Sequence, residues 1–209
     1  MSASFETKLA GPDQLEARVA LLPRPLVFTN GVFDILHRGH VTYLDQARAL
    51  GAALLVALNS DASARRLGKG ADRPVNPLGD RAAVVAALES VSLVTWFDAD
   101  TPLALIERVA PDVLVKGGDW PVDRIAGADL VRARGGNVIS IPFEHRRSTT
   151  ALLEQVRASV STERTERTDR TDPTERTDPT DRTERSDRTD RTERSDPTDP
   201  SDRTDRTDR

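Results

Sequence analysis

Two histidines, His37 and His40, are three residues apart, and Gly39 lies between them. A short apolar run, Leu26-Val27-Phe28, precedes this segment and predicts a buried strand. Apolar residues at helical spacing follow it and predict an amphipathic helix. The histidines are therefore expected on the turn between a first strand and a first helix, where open α/β sheets bind ligands.

The residue types on this turn favour an anion site. Gly39 lets a phosphate or another backbone segment approach closely. A helix that begins here directs free N–H groups and the positive end of its dipole at an anion. Imidazoles donate hydrogen bonds to phosphate oxygens and can carry charge near neutral pH, and the spacing places His37 and His40 on the same side of the helix start. The pattern predicts a phosphate site.

Polar residues also follow two further predicted strands. The apolar run 53–58 is typical of a parallel strand buried on both faces, and it ends at Asn59-Ser60-Asp61. A later strand, residues 112–115, ends at Lys116-Gly117-Gly118-Asp119. These glycines permit close approach of a ligand, and Lys116 offers a point charge for phosphate. Each block lies at the carboxyl end of its strand.

Strands alternate with helices along the whole body of the chain, which predicts a Rossmann-like, doubly wound parallel sheet of the α/β class. Gly51 is predicted as the C-cap of the first helix of the sheet, Thr101 as an N-cap and Pro102 as the first residue of a later helix. Residues 68–75 are polar and glycine-rich, and they predict a mobile loop that closes over substrate. The helices are predicted over residues 39–50, 78–88, 125–134 and 148–157, and the remaining strands over 26–29, 93–97 and 137–141.

The 209 residues divide into three segments. Residues 1–24 are predicted as an N-terminal segment with a short helix, residues 25–160 as one α/β domain, and residues 161–209 as a tail. From Thr162 onward, sixteen triplets repeat Thr or Ser, then Asp or Glu, then Arg or Pro. This tail has no aliphatic or aromatic residue with which to offset chain entropy, so it is expected to be disordered.

Composition limits the classes of function. The tail's twelve Arg and sixteen acidic residues account for the whole net charge of -4, so the charge does not describe the body. The absence of cysteine excludes disulfides and thiol metal sites. No apolar run approaches the length of a membrane span, and no targeting segment is recognised, so we expect a cytoplasmic protein without nucleic-acid or membrane partners.

The string TNGVFDILHRGHVTYL resembles the H-x-G-H signature of the cytidylyltransferase-like nucleotidyltransferases, and most closely the heptose 1-phosphate adenylyltransferases. The resemblance continues through Asn59-Ser60-Asp61, Arg73-Pro74-Val75, Asp80-Arg81-Ala82, Lys116-Gly117-Gly118-Asp119 and Ser148-Thr149-Thr150. It covers about residues 8–157 as an ordered series of blocks. Val32 departs from the family, which often has cysteine there, and a packing role is expected for it.

The resemblance implies a role for each block. The catalytic residues would be His37, His40 and Lys116. The residues binding nucleotide or phosphate would be Asn30, Gly31, Phe33, Asp34, Gly39, Arg147, Ser148, Thr149 and Thr150. The residues binding the acceptor substrate would be Asn59, Asp61, Arg73, Gly117, Gly118 and Asp119. No metal-binding side chains are implied.

Several of these residues have a second interpretation. Phe33 equally fits the core, and Asp34 is expected to orient a neighbouring histidine or a ribose, because an acid is unfavourable beside phosphate. Ser148 is explained equally by helix capping. Trp120 is expected to pack, with stacking on a base or sugar as the alternative. Lys8 is expected on the surface.

The implied enzyme transfers AMP from ATP to D-glycero-D-manno-heptose 1-phosphate, giving ADP-heptose and pyrophosphate for lipopolysaccharide or another glycoconjugate. Mg²⁺ is implied as the cofactor, held largely by the phosphates. A separate sugar kinase would supply the sugar 1-phosphate, and a homodimer is implied by the resemblance alone. One alternative is a cytidylyltransferase acting on glycerol 3-phosphate or a related phospho-alcohol. The other is a non-catalytic nucleotide-binding module.

Overall fold

A parallel five-stranded sheet with helices on both faces forms the centre of the computed structural model, which describes residues 3–68, 72–144 and 149–168. The strands are β1 (Leu26–Gly31), β2 (Ala53–Asn59), β3 (Leu93–Phe97), β4 (Val113–Gly117) and β5 (Asn137–Ile141). They are ordered β3-β2-β1-β4-β5, and every pairing is parallel. The predicted Rossmann-like α/β fold is confirmed.

Helices connect the strands in the described part of the chain: α1 (Leu15–Val19), α2 (Arg38–Arg48), α3 (Asp61–Arg66), α4 (Leu78–Ala86), α5 (Leu103–Val109), α6 (Ala128–Ala133) and α7 (Thr149–Thr168). Two 3-10 helices span Ser4–Lys8 and Val122–Arg124. The contacts divide the chain into Met1–Glu166, which contains the sheet, and Arg167–Arg209, of which only residues 167 and 168 are described. None of the helices in the described ranges is long and apolar enough to cross a membrane.

The period-two alternation of the strands separates two apolar layers. Phe28 and Leu55 point to one face, where they pack with Ile106 of α5. Val27 and Leu54 point to the other face and pack against α2 and α4. Every residue of β2 is buried, which explains why its sequence is apolar from Ala53 to Leu58. Both faces of the central strands are therefore closed, and the edge at their carboxyl ends is left for a site.

The position of β1 in the middle of the sheet determines where that site lies. The chain runs outward from β1 to β2 and β3, and it then crosses back so that β4 pairs with the other side of β1. Connections leave β1 and β4 in opposite directions, which opens a crevice beyond their carboxyl ends. Both predicted phosphate blocks begin in the last residues of these two strands and continue beyond them.

The structure corrects the predicted role of Gly51. Helix α2 ends at Arg48 with Ala49 as its C-cap, so Gly51 lies beyond the cap. A Cβ atom at Gly51 would lie 2.5 Å from the Pro25 carbonyl oxygen and 2.7 Å from Cγ2 of Val27. Glycine is required here because the backbone of the turn into β2 lies in close contact with Pro25 and Val27 at the start of β1.

We expect Gly51→Ala to lower the free energy of unfolding by about 1–3 kcal/mol, because the added methyl group overpacks a contact with backbone. Gly79→Ala is the matched control, since a Cβ atom there has nothing within 4 Å. Gly79 lies in α4, so alanine should stabilise the protein by up to about 1 kcal/mol. Urea denaturation of both variants measures the difference, and equal midpoints would contradict the close approach at Gly51.

Other helix boundaries also differ from the predictions. Helix α3 was not predicted, although Ser60 accepts a hydrogen bond from the Ser63 N–H and caps it. Pro102, and not Thr101, is the N-cap of α5. The predicted helix 125–134 is shorter, because the 3-10 helix and Gly127, with φ +88°, precede α6. These short elements have little apolar periodicity from which to predict them.

The last helix extends past the predicted start of the tail. Helix α7 runs to Thr168, whereas disorder was predicted from residue 161. The residues that follow 161 include Glu and Arg, which are good helix formers, and there is no proline before Pro173. The remaining prediction for the tail, residues 169–209, lies outside the described residues.

Candidate active site

A cavity of about 520 Å³ opens at the carboxyl ends of β1 and β4. Ten of the predicted site residues line it: Asn30, Gly31, Phe33, Asp34, His40, Asn59, Arg73, Lys116, Gly117 and Thr149. They come from the ends of three strands, the turn between β1 and α2, the first turns of α2 and α7, and the segment before α4. The fold therefore brings together blocks that are far apart in sequence.

The turn after β1 forms one wall of the cavity. Phe33 has φ +46°, a left-handed conformation that is unfavourable for a residue with a side chain. Its ring lies 2.9 Å from the place of a Cβ atom at Gly31, so only glycine fits at that position. The turn is tight, and its backbone from Asn30 to Phe33 is directed at the cavity.

The two histidines lie at the start of α2. His37 is the N-cap residue, and its carbonyl oxygen accepts the His40 N–H at 2.9 Å. The two imidazole rings are stacked, with centroids 4.0 Å apart and planes at 22°. His40 lines the cavity. His37 stacks on the His40 ring and is not among the lining residues. The buried Gly39 lies between them in the first helical turn.

Lys116 connects the two central strands across the crevice. Its Nζ lies 3.3 Å from Oδ1 and 3.5 Å from the carbonyl oxygen of Asn30. Lys116 is in β4 and Asn30 is in β1, so the ammonium group is at the junction where the strand order reverses. A ligand bound over either strand end would meet this charge.

A buried tyrosine supports the glycine turn after β4. The Tyr43 hydroxyl lies 2.5 Å from the Thr29 hydroxyl in the core. Burial raises the pKa of Tyr43 far above its ordinary value, although hydrogen bonds with Thr29 and the backbone of Gly117 oppose this effect. Its hydroxyl group therefore stays protonated and acts as a structural hydrogen-bonding group. The Phe143 ring packs edge-on to it, with centroids 5.7 Å apart.

Asp34 and Arg73 form an ion pair beneath the cavity. The Asp34 carboxylate accepts the N–H groups of Val75 and Asn76, both at 2.9 Å, and lies 2.8 Å from Nε of Arg73. Both side chains are at least nine-tenths buried. Arg73 and Val75, predicted as part of a mobile loop, are thus held against the turn by an ion pair and a hydrogen bond, while residues 69–71 lie outside the described residues.

The charges on the cavity wall favour an anionic ligand. The lining contains the basic side chains of Arg73, Lys116 and Arg124 and two carboxylates, Asp34 and Asp100. Each carboxylate is ion-paired with an arginine, Asp34 with Arg73 and Asp100 with Arg66. Neither acid therefore repels a phosphate at full strength.

The other predicted residues have varied positions. Thr149 is buried and its hydroxyl donates to the Ile35 carbonyl oxygen, whereas Thr150 is exposed. Asp61 is paired with Arg81, and Asn59 donates to the Ser63 hydroxyl. Gly118 has φ +100°, and Asp119 is exposed beside it. The predictions for Arg147 and Ser148 lie outside the described residues.

Sequence reasoning missed several cavity residues, among them Tyr43, Thr101, Pro102, Arg124 and Phe143. Thr101 and Pro102 follow β3, so their position after a strand end was an available signal. Phe143 had no such signal, because its contact with Tyr43 depends on the packing of β5. Lys8, expected on the surface, donates to the Leu88 carbonyl oxygen at 2.9 Å and takes no part in the cavity.

The chain is similar to several known proteins. A protein of Bordetella bronchiseptica named D-beta-D-heptose 1-phosphate adenylyltransferase is 59% identical over 158 residues, which are 75% of this chain and 98% of that protein. The Bifunctional protein HldE of Hahella chejuensis is 54% identical over 63% of this chain, and the match spans 28% of its length. A crystal structure of a lipopolysaccharide core biosynthesis protein from Thermoplasma volcanium aligns with 28% identity and a TM-score of 0.47, covering 58% of this chain and 98% of that one.

The family comparison covers the cavity and all of the sheet except the first two residues of β1. The profile of the Cytidylyltransferase-like family matches residues 28–172, more than half of the chain. The match begins within β1, two residues before the nucleotide turn, and includes both histidines and the glycine turn after β4. The chain therefore belongs to the cytidylyltransferase-like family of nucleotidyltransferases.

Proposed function

We propose that this protein transfers AMP from ATP to D-glycero-D-manno-heptose 1-phosphate and releases pyrophosphate. The observation that carries the proposal is the meeting of His40, Lys116 and the turn from Asn30 to Phe33 on one cavity at the β1–β4 junction. The Bordetella relative, whose name states this activity, matches over nearly its whole length. The product, ADP-heptose, would serve the assembly of lipopolysaccharide or another glycoconjugate.

The chemistry needs positioning and charge stabilisation more than a covalent intermediate. A phosphate oxygen of the sugar 1-phosphate attacks the α-phosphorus of ATP, and a new P–O bond forms. The bond between the α-phosphorus and the oxygen bridging to the β-phosphate breaks, and pyrophosphate leaves with that electron pair. His40 and Lys116 donate hydrogen bonds to the oxygens on which negative charge increases.

The start of α7 supplies a further anion-binding element. Thr149 lines the cavity at the first residue of this long helix, whose first N–H groups have no partner within the helix. Such a helix start favours the phosphates of a nucleotide. The residues before it were predicted from the resemblance to contact the same phosphates, and that role stays a prediction.

Mg²⁺ would enter with the nucleotide. In the ranges that the structure describes, no three His, Asp or Glu side chains are grouped so that they could hold a metal ion. The oxygens of Asp34, the acid in the nucleotide turn, already accept hydrogen bonds from Val75 and Asn76 and are ion-paired with Arg73. These residues fit an ion bound mainly by the triphosphate, where it would offset phosphate charge.

The substrates define the enzyme's place in a reaction sequence. The acceptor is a phosphate monoester of a sugar, so we propose that a separate kinase phosphorylates the sugar first. ATP and phosphorylated sugars are cytoplasmic metabolites, and we propose that the reaction takes place there. The predicted homodimer stays a prediction.

We expect pyrophosphate release when ATP and heptose 1-phosphate are supplied together, and none when either is omitted. The panel also contains CTP and glycerol 3-phosphate in every combination, with a colour assay for phosphate coupled to an inorganic pyrophosphatase as the readout. Release with CTP and glycerol 3-phosphate would move the protein to the cytidylyltransferase branch. Silence in every well from folded protein would contradict the proposed reaction and favour an untested acceptor or a nucleotide-binding module.

A further inference from the structure

Arg81 is the largest fully buried side chain in the described part of the chain, and no catalytic role has been given to it. Its residue is 1% exposed, although its guanidinium carries a permanent charge. Burying a charge is unfavourable unless it is paired and hydrogen-bonded. The use of its donors therefore shows what the residue holds in place.

The Arg81 guanidinium bonds to four groups outside its own helix. It donates to the carbonyl oxygens of Val32 at 2.6 Å, Asn59 at 2.9 Å and Asn76 at 3.0 Å. It also donates to Oδ1 of Asp61 at 2.7 Å. These partners belong to the nucleotide turn, the end of β2, the segment before α4 and the first turn of α3. One side chain thus joins the walls of the cavity.

The bond to Val32 has a specific consequence, because the next residue is Phe33. A left-handed residue with a side chain costs about 1–3 kcal/mol and persists only where its surroundings fix it. Arg81 holds the carbonyl group immediately before Phe33. On the other side, Asn76 donates through Nδ2 to the Asp34 carbonyl oxygen at 2.9 Å. The peptide group that precedes Phe33 and the peptide group that follows Asp34 are therefore both held by the segment from Asn76 to Arg81.

Phe33 in turn contacts the histidine at the cavity. The ring centroids of Phe33 and His40 are 5.4 Å apart, with planes at 60°. His40 is further enclosed by the stacked ring of His37. A change in the backbone at Phe33 would move its ring and change the space available to the imidazole of His40. We propose that Arg81 is a positioning residue that sets the place of His40 through Val32 and Phe33.

Lysine cannot replace this function. A guanidinium presents five N–H donors in a fixed plane, whereas an ammonium group is a compact charge with three rotating donors. Arg81→Lys keeps the charge opposite Asp61. It loses the planar set of N–H donors that bonds the carbonyl oxygens of Val32, Asn59 and Asn76 at the same time. The substitution therefore separates geometry from charge.

We expect Arg81→Lys to lower kcat by about 10- to 100-fold, the loss typical of a small misplacement of reacting groups. The KM for ATP should change by less than about threefold, because the lost interaction acts in the transition state. Arg108→Lys is the matched control, since Arg108 also bonds a carboxylate and a carbonyl but is on the surface, away from the cavity. Its kcat should equal that of the wild type.

A double-mutant cycle with His40→Ala distinguishes positioning from a general structural role. If Arg81 acts through His40, Arg81→Lys will lower the residual activity of His40→Ala by less than about threefold, because coupled residues are not additive. An equal loss of kcat from Arg81→Lys in the wild type and in His40→Ala would overturn the proposal. Should Arg81→Lys fail to fold, Asn76→Ala replaces it in the cycle, since it removes one hydrogen bond on the other side of Phe33. That variant should lose about threefold to tenfold in kcat, again only when His40 is present.

This inference rests on the proposed function for its kinetic readout, so a second measurement does not depend on activity. Imidazole resonances in ¹H–¹⁵N spectra, assigned with His37→Gln and His40→Gln, should shift for His40 in Arg81→Lys and not in Arg108→Lys. Unchanged His40 resonances in folded Arg81→Lys would overturn the proposal. If the wild type releases no pyrophosphate, the proposed function fails, while the resonances still decide the role of Arg81.

Discussion

The variant His40→Ala should turn over at least about 100-fold more slowly than the wild type, because it removes a preorganised donor at the transferring phosphate. His40 lines the cavity and is fixed between the rings of Phe33 and His37. A loss of this size corresponds to about 2.7 kcal/mol of transition-state stabilisation. Pyrophosphate release under saturating ATP and sugar phosphate measures it.

His40→Gln is the informative companion to this variant. Glutamine keeps an N–H donor at a similar distance from the backbone, so it should restore part of the lost turnover. His37→Ala removes the ring stacked on His40, and its turnover should fall between that of His40→Ala and that of His40→Gln. Turnover of His40→Ala within threefold of the wild type would remove the histidine from the proposed mechanism.

Lys116→Ala should lower kcat/KM by about 100- to 1000-fold, the loss that follows removal of one charge-stabilising donor from an enclosed site. The Nζ atom lies within 3.5 Å of Asn30 at the junction of β1 and β4, where the phosphates would be bound. Its loss removes a positive charge as well as a bridge between the two strand ends. Initial rates over a range of ATP concentrations separate the effects on kcat and KM.

Lys8→Ala is the matched control for this substitution. The ammonium of Lys8 donates to the Leu88 carbonyl oxygen and is not part of the cavity lining, so its removal should leave kcat/KM unchanged. A small loss of stability is expected from the missing hydrogen bond, about 1 kcal/mol. If both lysine variants lose activity equally, the effect is one of folding and not of charge at the site.

The sheet could be predicted because its signals are local. β3 and β5 have the bounds that their apolar runs predict, and the turn with His37 and His40 lies between β1 and α2 as expected. Continuous apolar character in β2 identified a strand covered on both faces. These features depend on neighbouring residues and on period, which a sequence displays directly.

The partners of individual polar side chains could not be predicted. Arg73 appeared in a glycine-rich, polar segment, yet its guanidinium is buried against Asp34, 39 residues earlier in the chain. Arg81 has no feature in its own helix that predicts four bonds to distant groups. Such contacts depend on the packing of α4 and the preceding segment against the turn. Local propensity does not predict them.

The pairing of β1 with β4 has a consequence for how the protein folds. Val27 pairs with Val113, so the two halves of the crevice come from strands 86 residues apart, with β2 and β3 between them in the chain. Closing so long a loop costs chain entropy before the parallel strands pair, so we expect this pairing to be a late and slow step in folding. A nascent or partly folded chain that has formed β1, β2 and β3 has both histidines but lacks the strand that carries Lys116. Catalytic competence should therefore arise in one step with completion of the sheet, and no fragment ending before β4 should retain a fraction of it.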